Sequence, residues 1–308
     1  MAVHQPGLSH RRSTTFLFIS LIFSLLVSAG LNAQPNQHST VPKHCLWEVA
    51  GPTNKVFLLG SLHVLKSNAY PLAEEINRAY RASPKVVFET DIGGMMDPAV
   101  QARMLSMGLY PAGESLLHNL SEDTRISLQK RMGDLGLPLE QFARFKPWFL
   151  AVTIATLELQ RLGFSPALGI DVHYYGRARS DKKKIDFFEP IEYQLGLLGA
   201  MSAEDQNAFL GQTLKDLEVA AEMADDMMTY WQKGQADKLY SLLFKSFEGY
   251  PEIEDRLLLK RNKDWLNRIE TMLGEPENIF IVVGAGHLVG PEGVVTLLKQ
   301  KGYKVIQR

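Results

Sequence analysis

Two unbroken apolar runs in this chain end in the same way. Lys55-Val56-Phe57-Leu58-Leu59 leads into Gly60-Ser61-Leu62-His63, and Ile279-Phe280-Ile281-Val282-Val283 leads into Gly284-Ala285-Gly286-His287. Continuous Val/Ile/Leu/Phe runs of this length predict strands buried on both faces of a sheet, so each Gly-x-x-His falls at a strand exit. The sequels match as well. After His63 come an amphipathic segment (Leu72, Ile76, Ala79, Tyr80) and the apolar run Val86-Val87-Phe88; after His287 come Val294, Val295, Leu297 and Leu298 at helical spacing, then Tyr303-Lys304-Val305-Ile306. Two strand-GxxH-helix-strand units read as an internal repeat, each a right-handed βαβ crossover within one sheet. Open α/β sheets bind ligands at the carboxyl ends of their strands, which places both histidines on one rim.

Between the units the pattern is mostly helical. Leu46–Val49 and Val56–Leu59, parted by Gly51-Pro52-Thr53-Asn54, predict a hairpin. From Pro98 to about Leu162 apolar residues recur at helical spacing, with Ser121-Glu122-Asp123 as a helix start and Pro138 and Pro147 as punctuation. A loop at Gly163–Gly169 precedes a helix through Tyr174, Tyr175 and Ala178, then a short strand Ile185–Phe188 closed by Glu189-Pro190. Leu195–Leu243 is helical again, and a long helix from about Glu252 to Leu273 feeds the second GxxH strand. The predicted fold is α/β: a mixed central sheet built from the N- and C-terminal units, with a large helical insertion over about 95–270.

Composition adds an address more than a chemistry. The 308 residues, 45% of them hydrophobic, suffice for a sizeable core. Lys plus Arg number 33 against 34 Asp plus Glu, a balance that gives no electrostatic case for nucleic acid. Residues 1–33 read as a secretory signal peptide, with Arg11-Arg12 before an apolar stretch and small residues at Ser28-Ala29-Gly30 and Ala33; an uncleaved anchor is the other reading. Residues 34–42 read as a polar linker and 43–308 as the folded domain, exported to the periplasm or medium; membrane contact is expected only through an uncleaved leader. Cys45, the sole cysteine, forms no internal disulfide and is expected as a small buried hydrophobe.

The candidate chemistry lies on the rim. Glu89 ends the strand Val86-Val87-Phe88, so His63, His287 and Glu89 together supply the ligand set of a catalytic zinc site, equally acceptable to manganese or cobalt. Glu89 could be third ligand or general base. Glu189 repeats the strand-end carboxylate position and is a possible additional member. Arg261, on the helix feeding the second GxxH strand, could reach the rim to hold a developing oxyanion. Each feature has a plainer reading. The glycines could merely relieve φ above zero at a tight exit, and Met223, Met227 and Met228 could be adaptable core packing. Trp148 reads as a packing anchor and His118 as a surface residue; Asp171 and His173, two apart on a helix, point to different faces.

With these residues in view, the chain resembles the TraB/GumN family, which includes the Tiki proteins. The resemblance rests on Leu46-Trp47-Glu48-Val49, the paired GxxH motifs, Glu89, Lys146-Pro147-Trp148, Gly169-Ile170-Asp171, Glu189 with Gln194, Arg261-Asn262, and Leu288-Val289-Gly290-Pro291 after the second GxxH. It implies a mixed α/β fold like that of erythromycin esterase and the haem-binding ChaN proteins. It also implies a site at His63, His287 and Glu89, with Arg261 a weaker match, and a metalloprotease activity favouring manganese or cobalt. The function expected is an exported, divalent-metal-dependent hydrolase, a peptidase first, acting on a peptide or small molecule. A non-catalytic binding protein for haem, peptide or another small ligand is the alternative, and a metal-free esterase a third.

Overall fold

A computed structural model describes residues 43–244, 247 and 250–308. The expected leader (1–33) and the linker (34–42) lie outside the described residues. In chain order the elements are β1 (Leu46–Ala50), β2 (Lys55–Ser61), α1 (Glu74–Arg81), β3 (Lys85–Phe88), α2 (Pro98–Gly108), α3 (Glu122–Asp134), α4 (Pro147–Arg161), α5 (Ile170–Ser180) and β4 (Lys184–Phe187). There follow α6 (Ile191–Gly199), α7 (Ala203–Asp216), α8 (Ala220–Gln232), α9 (Ala236–Phe244) and α10 (Pro251–Glu254). After a π-helical turn at Asp255–Leu259 come α11 (Lys260–Leu273), β5 (Ile279–Gly284), α12 (Ala285–Leu288), α13 (Val294–Gln300) and β6 (Val305–Gln307).

The strands form one mixed sheet in the order β4-β3-β5-β2-β1-β6. The four central and left-hand strands are parallel, and β1 runs against both of its neighbours. The α/β class and the first hairpin are as the pattern predicts. The central strands are apolar throughout because they are covered on both faces: Leu58, Leu59, Val86, Val87, Phe88, Phe280 and Ile281 are all fully buried. On one face Phe280 packs edge-on to Tyr80 of α1 and Tyr174 of α5, with centroids 5.8 and 5.1 Å away. Trp265 of α11 stacks on Phe188 beyond the end of β4, at 4.9 Å and 16°.

The order of strands does what the site needs. β2 and β5 are direct parallel neighbours in a register that pairs Ser61 with Gly284, so the two GxxH segments leave the sheet side by side. β3 lies on the other side of β5 and β4 beyond it, with Phe88 opposite Phe187, so Glu89 and Glu189 leave next to each other. The Glu189 amide donates to the Glu89 carbonyl at 2.8 Å, extending that pairing past the strand ends.

The helices between β3 and β5 build a second apolar cluster, with Leu128, Met132, Trp148, Leu150 and Leu210 buried in it. Ser121 caps α3 by accepting from the Thr124 amide, and Pro147 opens α4, as anticipated. β4 interrupts these helices and returns to the sheet. Two details depart from expectation. The stretch Glu252–Leu273 is not one regular helix, since its second turn is π-helical. The glycines of the GxxH motifs do not have positive φ: Gly284 sits at φ −50°, ψ 135°, and Gly60 is not among the positive-φ residues. Space is the constraint instead, because a Cβ on Gly60 would lie 3.1 Å from the Ala285 Cα.

Phe280→Ala would open a cavity against Tyr80 and Tyr174 in the sheet's centre. A loss of about 3–5 kcal/mol in the unfolding free energy is expected from urea denaturation.

Candidate active site

Every donor on Arg261 is committed. Its Nε donates to Glu189 Oε1 at 2.8 Å, Nη2 to Glu189 Oε2 at 2.9 Å and to Glu89 Oε2 at 2.7 Å. Its Nη1 donates to the Leu257 carbonyl at 2.7 Å and to His287 Nε2 at 2.9 Å. A guanidinium has five N–H groups, so none remains. The side chain is 2% exposed and its Cζ lies 4.9 Å over the Trp265 ring. The π-helical turn just ahead of Arg261 presents the Leu257 carbonyl to it.

Around that cation both oxygens of each glutamate are engaged. Glu89 Oε1 accepts the Gly284 amide at 2.5 Å, and Gln194 Nε2 bridges Glu89 Oε2 and Glu189 Oε2 at 3.2 and 3.1 Å. Trp265 Nε1 donates to Glu189 Oε1 at 2.9 Å. Burial alone would raise the Glu89 carboxyl, but the His287 ring, the Arg261 guanidinium, the His63 ring and the Gly284 amide outweigh it and hold the pKa at about 2.

The two histidines are anchored alike. His287 Nδ1 donates to Asn262 Oδ1 at 2.6 Å; the Asn262 amide is itself oriented by its Nδ2 donating to the Glu292 carbonyl at 3.0 Å. With Nδ1 protonated and Nε2 accepting from Arg261, His287 is a neutral imidazole. Burial, then the neighbouring guanidinium, press its pKa down to about 3. His63 Nδ1 donates to Asp171 Oδ2 at 3.1 Å. Burial alone would lower its pKa, yet the charge and hydrogen bond of Asp171 and the charge of Glu89 raise it to about 9. Both rings thus turn Nε2 inward. A Cβ on Gly284 would lie 3.1 Å from Glu89 Oε1, 3.6 Å from His287 Cδ2 and 3.7 Å from His63 Nε2, so the glycine leaves the space between all three groups open. A cavity of about 90 Å³ reaches the centre, with His63, Glu89, Arg261 and His287 at its floor.

The structure therefore brings His63, His287, Glu89, Glu189 and Arg261 into one cluster. The Arg261 role differs from the expected one: with five bonds made, it is a cross-link between strand ends and has no donor left for an oxyanion. Asp171, quoted in the sequence only as part of the Gly169-Ile170-Asp171 motif and beside His173, was given no role at the site. It sits in the first turn of α5 and orients His63, whereas His173 packs between Tyr70 and Tyr174. Asn262, Gln194 and Trp265 were equally without an assigned role; the only available signal was that Arg261, Asn262 and Trp265 fall on one buried helix face.

The fold and cluster define an α/β protein with a buried two-histidine, two-glutamate, arginine centre at the carboxyl rim of its sheet. The chain belongs to the TraB/PrgY/gumN family, whose sequence model matches residues 45–307. It is 24% identical over 261 residues to the uncharacterized protein YbaP of Escherichia coli, covering 83% of this chain and 94% of that protein. It is 22% identical to the metalloprotease TIKI2 of Danio rerio, covering 84% of this chain and 60% of that protein, and 21% identical to the metalloprotease TIKI1 of Xenopus tropicalis, covering 94% and 68%. No solved structure matches the chain.

Removing the Arg261 fork strands two buried carboxylates, a change that typically costs about 3–5 kcal/mol. Arg261→Ala should lose that much in urea denaturation, and Arg261→Lys most of it, because a point charge with three donors cannot serve five acceptors. The pH dependence has a definite sign. The raised His63 pKa stabilises the fold below 6.5 and that contribution is lost as pH rises through about 9. The lowered His287 pKa contributes above 6.5 and is lost as pH falls toward about 3, and Glu89 contributes above 4.5 and is lost toward about 2. Melting temperature should peak near pH 6.5, with an alkaline decline that His63→Gln removes.

Proposed function

We propose that this chain is a hydrolase whose reaction centre is the His63, Glu89 and His287 cluster, working with manganese, cobalt or zinc on a peptide bond. The observation that carries the reading is the shared anchoring: each imidazole is tied through Nδ1 to a side-chain oxygen, leaving both Nε2 atoms to face one carboxylate inside one cavity. Metal-ligating histidines are held this way by their outer partners.

The donor set, two imidazoles and a carboxylate, is of the type a divalent cation takes. Three carboxylates (Asp171, Glu89, Glu189) against Arg261 leave a formal charge of −2, which a dication would balance once His63 gives up the proton its raised pKa holds at neutral pH. The fit has a second condition. Among the described residues no three His, Cys, Asp or Glu side chains form a ready cage, and Arg261 Nη1 takes the His287 Nε2 lone pair. His63 Nε2, His287 Nε2 and Glu89 would hold the cation once that bond is released. Bound there, it would supply Lewis acidity and acidify water at neutral pH. Glu89, held low by its donors, is a carboxylate throughout and can take a proton from water within hydrogen-bond reach. Asp171 fixes the His63 tautomer, and Arg261 with Gln194 keeps Glu89 from swinging away.

A second reading rests on the Asp171–His63 pair. A carboxylate on Nδ1 orients the ring with Nε2 toward the cavity, and a pKa raised to about 9 makes the ring a proton donor at neutral pH and a base only at alkaline pH; the pair supports a metal-free esterase acting through His63.

Calorimetric titration of the protein with manganese, cobalt and zinc should give saturable binding that falls at least about tenfold in His63→Ala and His287→Ala. A peptide-library digest should show cleavage that chelator abolishes. Unaltered affinity in both variants would remove the metal, and cleavage surviving chelation would favour the second reading. Export is proposed on the leader alone; mass spectrometry of the mature chain should find its N-terminus at Gln34. Among the described residues no helix is long and apolar enough to cross a membrane.

A further inference from the structure

The walls of the cavity say more about the substrate than its floor does. Beside His63, Glu89, Arg261 and His287 the lining is apolar, formed by Met223, Ala224 and Met227 of α8, Leu243 of α9, Phe247, and Leu257 and Leu258 of the π-helical turn. The wall side chains carry no charge. At the floor, all five Arg261 donors are spent, so the guanidinium has none to offer a substrate carboxylate. A charge held against the apolar walls would lose its water for no new partner, which is costly. An apolar group would gain by leaving water.

Volume narrows the choice further. An engineered apolar cavity of ~150 Å³ admits benzene; this one, at about 90 Å³, is smaller, which favours an isopropyl or isobutyl group over a phenyl ring. The one polar exception in the upper wall is Ser61. Its Oγ is buried and has no hydrogen-bond partner among the described residues, although the side chain lines the cavity. The π-helical turn supports the same assignment, because it sets two successive leucines against the cavity while its carbonyl at Leu257 holds Arg261.

We propose that the cavity beside the histidine pair is a specificity pocket for one aliphatic side chain of valine to leucine size, adjoining the bond to be cut. The assignment rests on the hydrolase reading for the last clause only. The pocket's preference can be measured without turnover.

The experiment is equilibrium binding of N-acetyl-X-amides to the purified protein by ligand-observed NMR, with X as leucine, valine, phenylalanine, aspartate and lysine. Leucine or valine should bind at least about tenfold more tightly than aspartate, lysine or phenylalanine, a difference of about 1.4 kcal/mol. Met227→Trp, which fills the pocket from its half-buried side, should abolish that preference with an unchanged thermal unfolding profile. Met223→Ala should admit the phenylalanine amide. Equal binding of leucine and aspartate amides, tighter binding of phenylalanine by the unaltered protein, or no leucine binding at about 10 mM would overturn the assignment. Failure of the hydrolase reading looks different: the leucine preference would persist while the peptide library remained uncut.

Discussion

The buried guanidinium of Arg261 is the tie on which the centre depends. A parallel sheet brings strand ends to one rim, but it also brings carboxylates there, and Glu89 and Glu189 emerge from adjacent strands with their backbones still paired. Two like charges side by side in a buried setting would repel and neutralise. One planar cation with five directed donors resolves this, spanning both acids, an imidazole and a carbonyl of its own helix. Gln194 and the Trp265 indole fill the remaining acceptor positions. The cost of desolvating Arg261 is offset only because every donor finds an acceptor; a cluster with one member removed is worse than none.

Much of this was legible in the sequence. Continuous apolar runs ending in GxxH gave away buried strands and their rim, and the strand-end position of Glu89 and Glu189 followed from where Phe88 and Phe188 stop the apolar pattern. Period and termination are local signals, so they survive without a structure. What was not legible was pairing. That β2 and β5 are direct neighbours, and that Asp171, a hundred residues on, is the partner of His63, depends on how helices pack over the sheet. The Arg261 role went astray for the same reason: a lone arginine on an amphipathic helix says nothing of how many acceptors await it.

The glycines teach a related lesson. Glycine at a strand exit is ordinarily read as permission for an unusual backbone angle. Here Gly60 and Gly284 have ordinary angles, and it is the absence of a side chain that matters. Gly60 lets β2 and α12 approach, and Gly284 leaves room between two imidazoles and a carboxylate while its amide holds that carboxylate in place.

Helix α8 does two things at once. It contributes Met223, Ala224 and Met227 to the cavity wall, and its Trp231 indole donates to the Gly60 carbonyl at 2.6 Å, three residues before His63. Entry and alignment are thereby mechanically tied: a guest bulky enough to push this helix outward pulls on the strand exit that aims the imidazole. Oversized molecules would then disturb the aim of that ring as well as fit poorly, a form of selectivity that a rigid-walled hollow could not provide.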